Sequence, residues 1–123
     1  MGEEKRRYVR IDKRFSVSFR KVKDFLSSGS RNKNISEGGI CLPLYQYFPE
    51  GSLLEVEINS DDFKAPIKAK VRLVWIVKKA DPSFPFEAGL EFLEIAPAER
   101  EELRNYIKNY AAEGGEQDIR WID

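Results

Sequence analysis

Between residues 66 and 79 the chain alternates: Ile67, Ala69, Val71, Leu73, Trp75 and Val77 fall on one face, with Lys68, Lys70 and Arg72 opposite. Successive side chains point to opposite faces only in an extended strand, so this run predicts a long, half-buried β-strand with Trp75 in the core. The same period recurs in Phe15, Val17 and Phe19, in Leu54, Val56 and Ile58, and in Phe86, Ala88, Leu90 and Phe92. Turn-forming residues punctuate these runs. Ser27–Asn32 reads as a loop, and Tyr45, Tyr47 and Phe48 fall in another, closed by a Pro49-Glu50-Gly51 turn. From Pro97 the period changes to 3.6, with Leu103, Tyr106, Ile107 and Tyr110 on one stripe. Pro97 suits a first helical turn, Glu99, Glu101 and Glu102 complement the positive helix end, and Gly114-Gly115 marks its stop. Closely spaced strands followed by one helix predict a mostly-β domain, a small antiparallel barrel with a C-terminal α-helix.

Charge and composition exclude several functions. A chain of 123 residues suits one domain, and its 21 basic and 21 acidic residues leave no net charge. Any basic site must therefore be local, which argues against a nucleic-acid binder. The aromatic residues share strand faces with aliphatic ones rather than with basic ones, so stacking platforms for single strands are not expected. No histidine is present, and the only cysteine, Cys41, sits in an apolar run. No nucleophile–base or metal-ligand constellation can be drawn, so neither an enzyme nor a metal site is expected. No window approaches the roughly 20 apolar residues of a membrane span, and no signal-peptide pattern opens the chain. A reducing cytoplasm is the expected compartment.

Two short segments carry the functional signal. Arg6, Arg7 and Arg10 crowd three guanidiniums into five residues, and Asn34-Ile35-Ser36-Glu37-Gly38-Gly39 follows downstream. In an extended segment Asn34 and Ser36 point to one face, and Gly38-Gly39 allows a positive φ or a close backbone approach. Arg-x-x-x-Arg followed by Asn-x-Ser-x-x-Gly resembles the signature of the PilZ domain family. The strands Val71–Ile76 and Phe86–Phe92 and the closing helix extend the resemblance over about residues 5–112. It implies a six-stranded barrel plus helix and a bacterial receptor for the second messenger cyclic di-GMP. The expected organisation is a flexible arm over 1–10, a barrel plus helix over 11–113 and a tail over 114–123, with Ile119, Trp121 and Ile122 apolar enough to dock.

By the resemblance, Arg6 and Arg10 are the principal ligand contacts, Arg7 an auxiliary, and Asn34, Ser36 and Gly39 the second half of the site. Lys5 and Gly38 are possible auxiliaries, Lys5 because the residue before the first arginine influences whether one nucleotide or a stacked pair binds. Arginine suits this chemistry, since its planar fork binds phosphate or the guanine O6/N7 edge bidentately. Many family members have Asp where Asn34 stands, and the neutral amide makes a weaker bond than a carboxylate. Asn34 and Ser36 also have plainer readings, as turn residues bonded to local backbone or as a glycosylation sequon. The implied function is a switch in which the arm closes over the ligand and alters the surface offered to a downstream protein. The alternative is a ligand-independent adaptor acting through protein contacts alone.

Overall fold

The structure, a computed structural model, describes residues 9–22 and 28–112. Its elements are β1 (Ser16–Lys21), β2 (Ser28–Arg31), β3 (Asn34–Ile35), β4 (Gly39–Leu44), β5 (Leu53–Asn59), β6 (Ile67–Lys78), β7 (Phe86–Ile95) and α1 (Pro97–Ala112). All seven strands join one antiparallel sheet in the order β2-β1-β5-β6-β7-β4-β3. The sheet is strongly curled, because its outermost strands β2 and β3 are separated by only Asn32 and Lys33 in the chain. Inside the curl lie Val17, Phe19, Ile35, Ile40, Leu42, Leu54, Val56, Ile58, Ile67, Val71, Leu73 and Leu90, all buried. The β-barrel-like fold with a C-terminal helix is as expected from the alternating runs, with seven strands in place of six.

The seventh strand comes from a segment whose composition suggests a loop. Ser28–Arg31 pairs along β1 with Val17 opposite Ser30, and Ser30 Oγ donates to the Pro43 carbonyl at 2.7 Å. Small polar side chains form a strand here because the backbone ladder, not side-chain burial, holds it. The region from Asn34 to Leu44 is a hairpin rather than one continuous extended segment. β3 breaks after Ile35 and β4 returns against it to Leu44. Pro43 fits within β4 because β3 pairs only with Ile40 and Cys41, so no ladder bond is needed from its missing N–H.

β6 carries the largest departure from alternation. Ile67, Ala69, Val71 and Leu73 are buried as expected, yet Trp75 is only half-buried and Val77 is 47 % exposed. Leu73 faces Leu90 and Trp75 faces Gly89, so β6 advances two residues while β7 advances one. The extra residue, Val74, makes a β-bulge that reverses the inside–outside phase. Ile76 packs against the core beyond it, and Trp75 turns outward.

α1 closes one end of the curl with the expected stripe: Leu103 and Ile107 are buried, and Tyr106 and Tyr110 pack against the core. Phe15, Phe63 and Tyr106 form a ring cluster with centroids 5.2–5.6 Å apart, a spacing that favours tilted and edge-on pairs. Burial and the nearby Asp62 carboxylate, which accepts the Tyr106 hydroxyl at 3.1 Å, push that phenol up to about 12. The Pro49–Ser52 turn forms as read, with Gly51 at φ 89° where a Cβ would be strained.

Candidate functional site

The two signature segments meet through backbone pairing. Ile11 N–H donates to the Ile35 carbonyl at 2.9 Å, and Ile35 N–H donates back to Ile11 at 3.0 Å. This antiparallel bridge sets Arg10 abreast of Ser36 and Asp12 abreast of Asn34. Ile11 and Ile35 point into the core, fully buried, so Arg10 and Asn34 share the opposite, outward face. Asn32, assigned to a loop by composition, fixes the approach of the N-terminal segment. It is fully buried, its Oδ1 accepts from Phe15 N–H at 2.6 Å, and its Nδ2 donates to the Lys13 carbonyl at 2.9 Å. Arg10 is 3 % exposed, Asn34 2 % and Ser36 4 %, so this side of the site is closed in the structure. Lys5, Arg6 and Arg7 lie outside the described residues, as does the tail with Trp121.

The Ser36–Gly39 turn is held by its own residues. Ser36 N–H donates to the Gly39 carbonyl at 2.8 Å, and Ser36 Oγ accepts from Gly38 N–H at 3.0 Å and Gly39 N–H at 3.2 Å. The turn-chemistry reading of Ser36 thus holds in the structure. Gly39 is fixed by sheet packing: a Cβ there would sit 2.4 Å from the Leu90 carbonyl oxygen. The close approach foreseen for the glycine pair occurs at Gly39. Glu37 is tied to α1, with Arg104 Nε and Nη2 each 2.8 Å from its Oε2 and Arg100 Nη1 3.4 Å from its carbonyl. Tyr110 Oη, 3.5 Å from Asp12 Oδ1, brings the same helix against the N-terminal segment.

Cross-strand register extends the outward face beyond the signature. Asn34 faces Cys41, Cys41 faces Gly89 and Gly89 faces Trp75, so these four make one row across β3, β4, β7 and β6. Gly89 leaves a bare stretch of backbone between the Cys41 thiol and the Trp75 indole. Glu87 and Glu91 flank it along β7. Glu87 is 6 % exposed, and burial alone would raise its carboxyl. The Cys41 thiol donating to it at 3.1 Å and the Lys33 and Lys79 ammoniums outweigh that and hold it below the usual carboxylate range. Trp75 and the Lys33–Glu87–Lys79 cluster were not foreseen as part of a site. The bulge that turns Trp75 outward has no signature in the alternating pattern, and Lys33 and Glu87 are 54 residues apart in the chain.

No motif residue lines the open depression of about 690 Å³ bordered by Arg20, Glu55, Glu57, Lys68, Lys70 and Glu94. Its charges balance across the strands, with Arg20 paired to Glu55 and Lys70 to Glu94. Among the described residues no group of three or more His, Cys, Asp or Glu side chains could hold a metal ion, and no helix is long and apolar enough to cross a membrane.

Comparison with known proteins supplies the remaining findings. The model of the PilZ domain family matches residues 4–109. The fold is similar to the Bacillus subtilis inhibitor of motility MotI/DgrA, at TM-score 0.76 and 23 % identity over 91 % of this chain and 53 % of that one. It is also similar to Escherichia coli YcgR in complex with c-di-GMP, at TM-score 0.71 and 21 % identity over 89 % of this chain and 47 % of that one. The chain thus spans about half the length of these two proteins. The PilZ domain of YcgR with c-di-GMP, at TM-score 0.66 and 21 % identity, is matched over 94 % of its length and 89 % of this chain. No curated protein sequence matches the chain significantly.

Proposed function

The chain belongs to the PilZ domain family, and from that premise we propose that it is a receptor for cyclic di-GMP that binds on the outward face of β3, β4, β7 and β6. The observation that carries this reading is the Ile11–Ile35 bridge, which holds Arg10 abreast of the Asn34–Gly39 turn across 23 residues of intervening sequence. The ligand carries two phosphate charges and two guanines. Arg10 offers a planar fork to phosphate or to the guanine O6/N7 edge, with Arg6 and Arg7 on the arm ahead of it. Asn34 Oδ1 accepts from guanine N–H groups, and the Ser36 hydroxyl, which donates to the Gly39 carbonyl at 3.5 Å in the structure, turns its proton from that long bond to the ligand. Trp75, across the bare Gly89 backbone, offers a flat apolar wall against which a base stacks.

Because Arg10 is buried, ligand entry requires the segment before Ile11 to move, and Ile11 with its two backbone bonds is the fixed point of that motion. On this reading residues 1–10 act as an arm that closes over the ligand and changes the surface offered to a downstream protein. Losing a charged hydrogen-bonding partner costs about 1.5–3 kcal/mol, so Arg10→Ala weakens binding at least about tenfold. Calorimetric titration with cyclic di-GMP, against cyclic di-AMP and GTP as controls, tests this directly. Equal affinity of Arg10→Ala and the parent chain refutes the site.

A second reading draws on the same burial. Arg10, Asn34 and Ser36 are all closed off in the structure, as they would be in a ligand-independent adaptor working through protein contacts. Absence of cyclic di-GMP binding at high protein concentration selects that reading.

A further inference from the structure

The cluster around Glu87 has more positive charge than its carboxylate needs. Lys33 Nζ at 3.4 Å and Lys79 Nζ at 3.5 Å approach the same oxygen, Glu87 Oε1, while Cys41 Sγ donates to Oε2. One ammonium neutralises one carboxylate, so the second leaves a surplus of one positive charge. Along β6 and β7, Arg72–Glu91 and Lys70–Glu94 each pair one cation with one carboxylate. Both Lys–Glu87 separations exceed the roughly 2.7–2.9 Å of a tight charge-assisted bond. The Lys33 and Lys79 side chains are 27 % and 44 % exposed. Each ammonium carries three N–H donors, so both have donors left for a further acceptor.

Their place in the fold gives the surplus charge a use. Lys33 immediately precedes Asn34, and Lys79 follows the end of β6, the strand that carries Trp75. Glu87 is two residues from Gly89 on the same face of β7, so the ammoniums stand beside one edge of the Asn34–Cys41–Gly89–Trp75 row. Lys79 is held there by backbone as well, its N–H donating to the Pro85 carbonyl at 2.8 Å.

We propose that Lys33 and Lys79 form an anion subsite for a phosphodiester of the ligand, with Glu87 as the buried tether that fixes both ammoniums. The subsite rests on the receptor reading above and adds to it a contact outside the signature motifs. A singly charged phosphodiester matches the surplus of the cluster, and Glu87 keeps the ammoniums from crowding each other when no ligand is bound.

Cyclic di-GMP is titrated at low and at physiological salt into the parent chain, Lys33→Gln/Lys79→Gln and Lys33→Arg/Lys79→Arg, with a thermal midpoint recorded for each. The Gln double variant binds about tenfold more weakly at low salt, at the upper end for solvent-exposed ion pairs, and the gap narrows as salt is added. The Arg double variant, which keeps both charges, stays within about twofold of the parent chain. Should the Gln double variant fold poorly, Lys79→Gln alone leaves Lys33 to neutralise Glu87 and binds about threefold more weakly. Gln variants that lose thermal stability but bind like the parent chain reduce the lysines to a structural role and overturn the subsite, while the receptor reading stands. A parent chain that does not bind cyclic di-GMP removes the receptor reading itself, and the subsite with it.

Discussion

Substituting glycines separates a packing role for Gly39 from a purely ligand-contacting one. An alanine Cβ at Gly39 would lie 2.4 Å from the Leu90 carbonyl oxygen, about 1 Å short of the 3.4 Å at which ordinary contact begins. The obstacle is backbone, so no side-chain rotation relieves it, and β4 must move away from β7. Overpacking of this kind costs about 1–3 kcal/mol. The movement also strains the Phe92 N–H bond to Gly38 (3.0 Å) and the Ser36 N–H bond to Gly39 (2.8 Å), each worth about 1 kcal/mol. Against this, alanine lowers the entropy of the unfolded chain by about 0.4–1 kcal/mol. Gly39→Ala is therefore destabilising by about 3 kcal/mol, a drop of roughly 10 °C in Tm for a domain of this size. Two other glycines are internal controls. Gly29→Ala meets only the Val17 carbonyl oxygen at 4.0 Å and should be neutral or slightly stabilising. Gly51→Ala has open space but φ +89°, so it costs about 1–2 kcal/mol through backbone strain alone. Urea and thermal unfolding of the ligand-free variants should rank them Gly29→Ala, Gly51→Ala, Gly39→Ala in order of falling stability. Gly39→Ala as stable as Gly29→Ala refutes the packing argument and returns Gly39 to the ligand.

Two further outcomes follow from buried polar groups. Asn32→Ala leaves the Phe15 N–H and the Lys13 carbonyl without their partner. It should cost about 2–3 kcal/mol in urea unfolding, whereas an exposed helix control such as Lys108→Ala should stay within about 0.5 kcal/mol. Glu87 has a folded-state pKa below its ordinary 4.5, so the folded protein binds fewer protons there than the unfolded chain. Its stabilisation is present above the unfolded value and is lost as pH falls through the lower folded value. Urea midpoints between about pH 3 and 7 should therefore fall less steeply on the acid side for Glu87→Gln than for the parent chain, and parallel curves would remove Glu87 from the acid response.

The fold was legible wherever local pattern and burial coincide. Leu54, Val56 and Ile58 alternate in sequence and are buried in β5, and the stripe from Leu103 to Tyr110 packs inward from α1. Ser28–Arg31 was not legible, because small polar residues carry no alternation and the strand is held by pairing to β1. In the site, the signature segments were visible but their meeting point was not. Arg10 and Asn34 come together through backbone bonds of Ile11 and Ile35, residues that the motif itself leaves unspecified. The Glu37–Arg104 and Lys33–Glu87 contacts join residues 67 and 54 positions apart, beyond the reach of any local pattern.

Trp75 illustrates the limit most sharply, since its period placed it in the core with Leu73 and Val71. Alternation predicts a face only while the register with the neighbouring strand advances evenly, and one inserted residue reverses every face beyond it. Val74 is that residue in β6: before it Leu73 still meets Leu90 in the core, and beyond it Trp75 meets Gly89 outside. The side chain absent at Gly89 leaves room beside the indole, and Ile76 takes the inward place that Trp75 gives up. The bulge therefore exchanges a core aromatic for a site wall without opening a hole, because the next apolar residue is already in position to fill it. Deleting Val74 would make Leu73 and Trp75 consecutive and leave them on opposite faces without a bulge, the indole still outward, so it is the skipping of Val74 by the ladder that sets Trp75 on the face opposite Leu73.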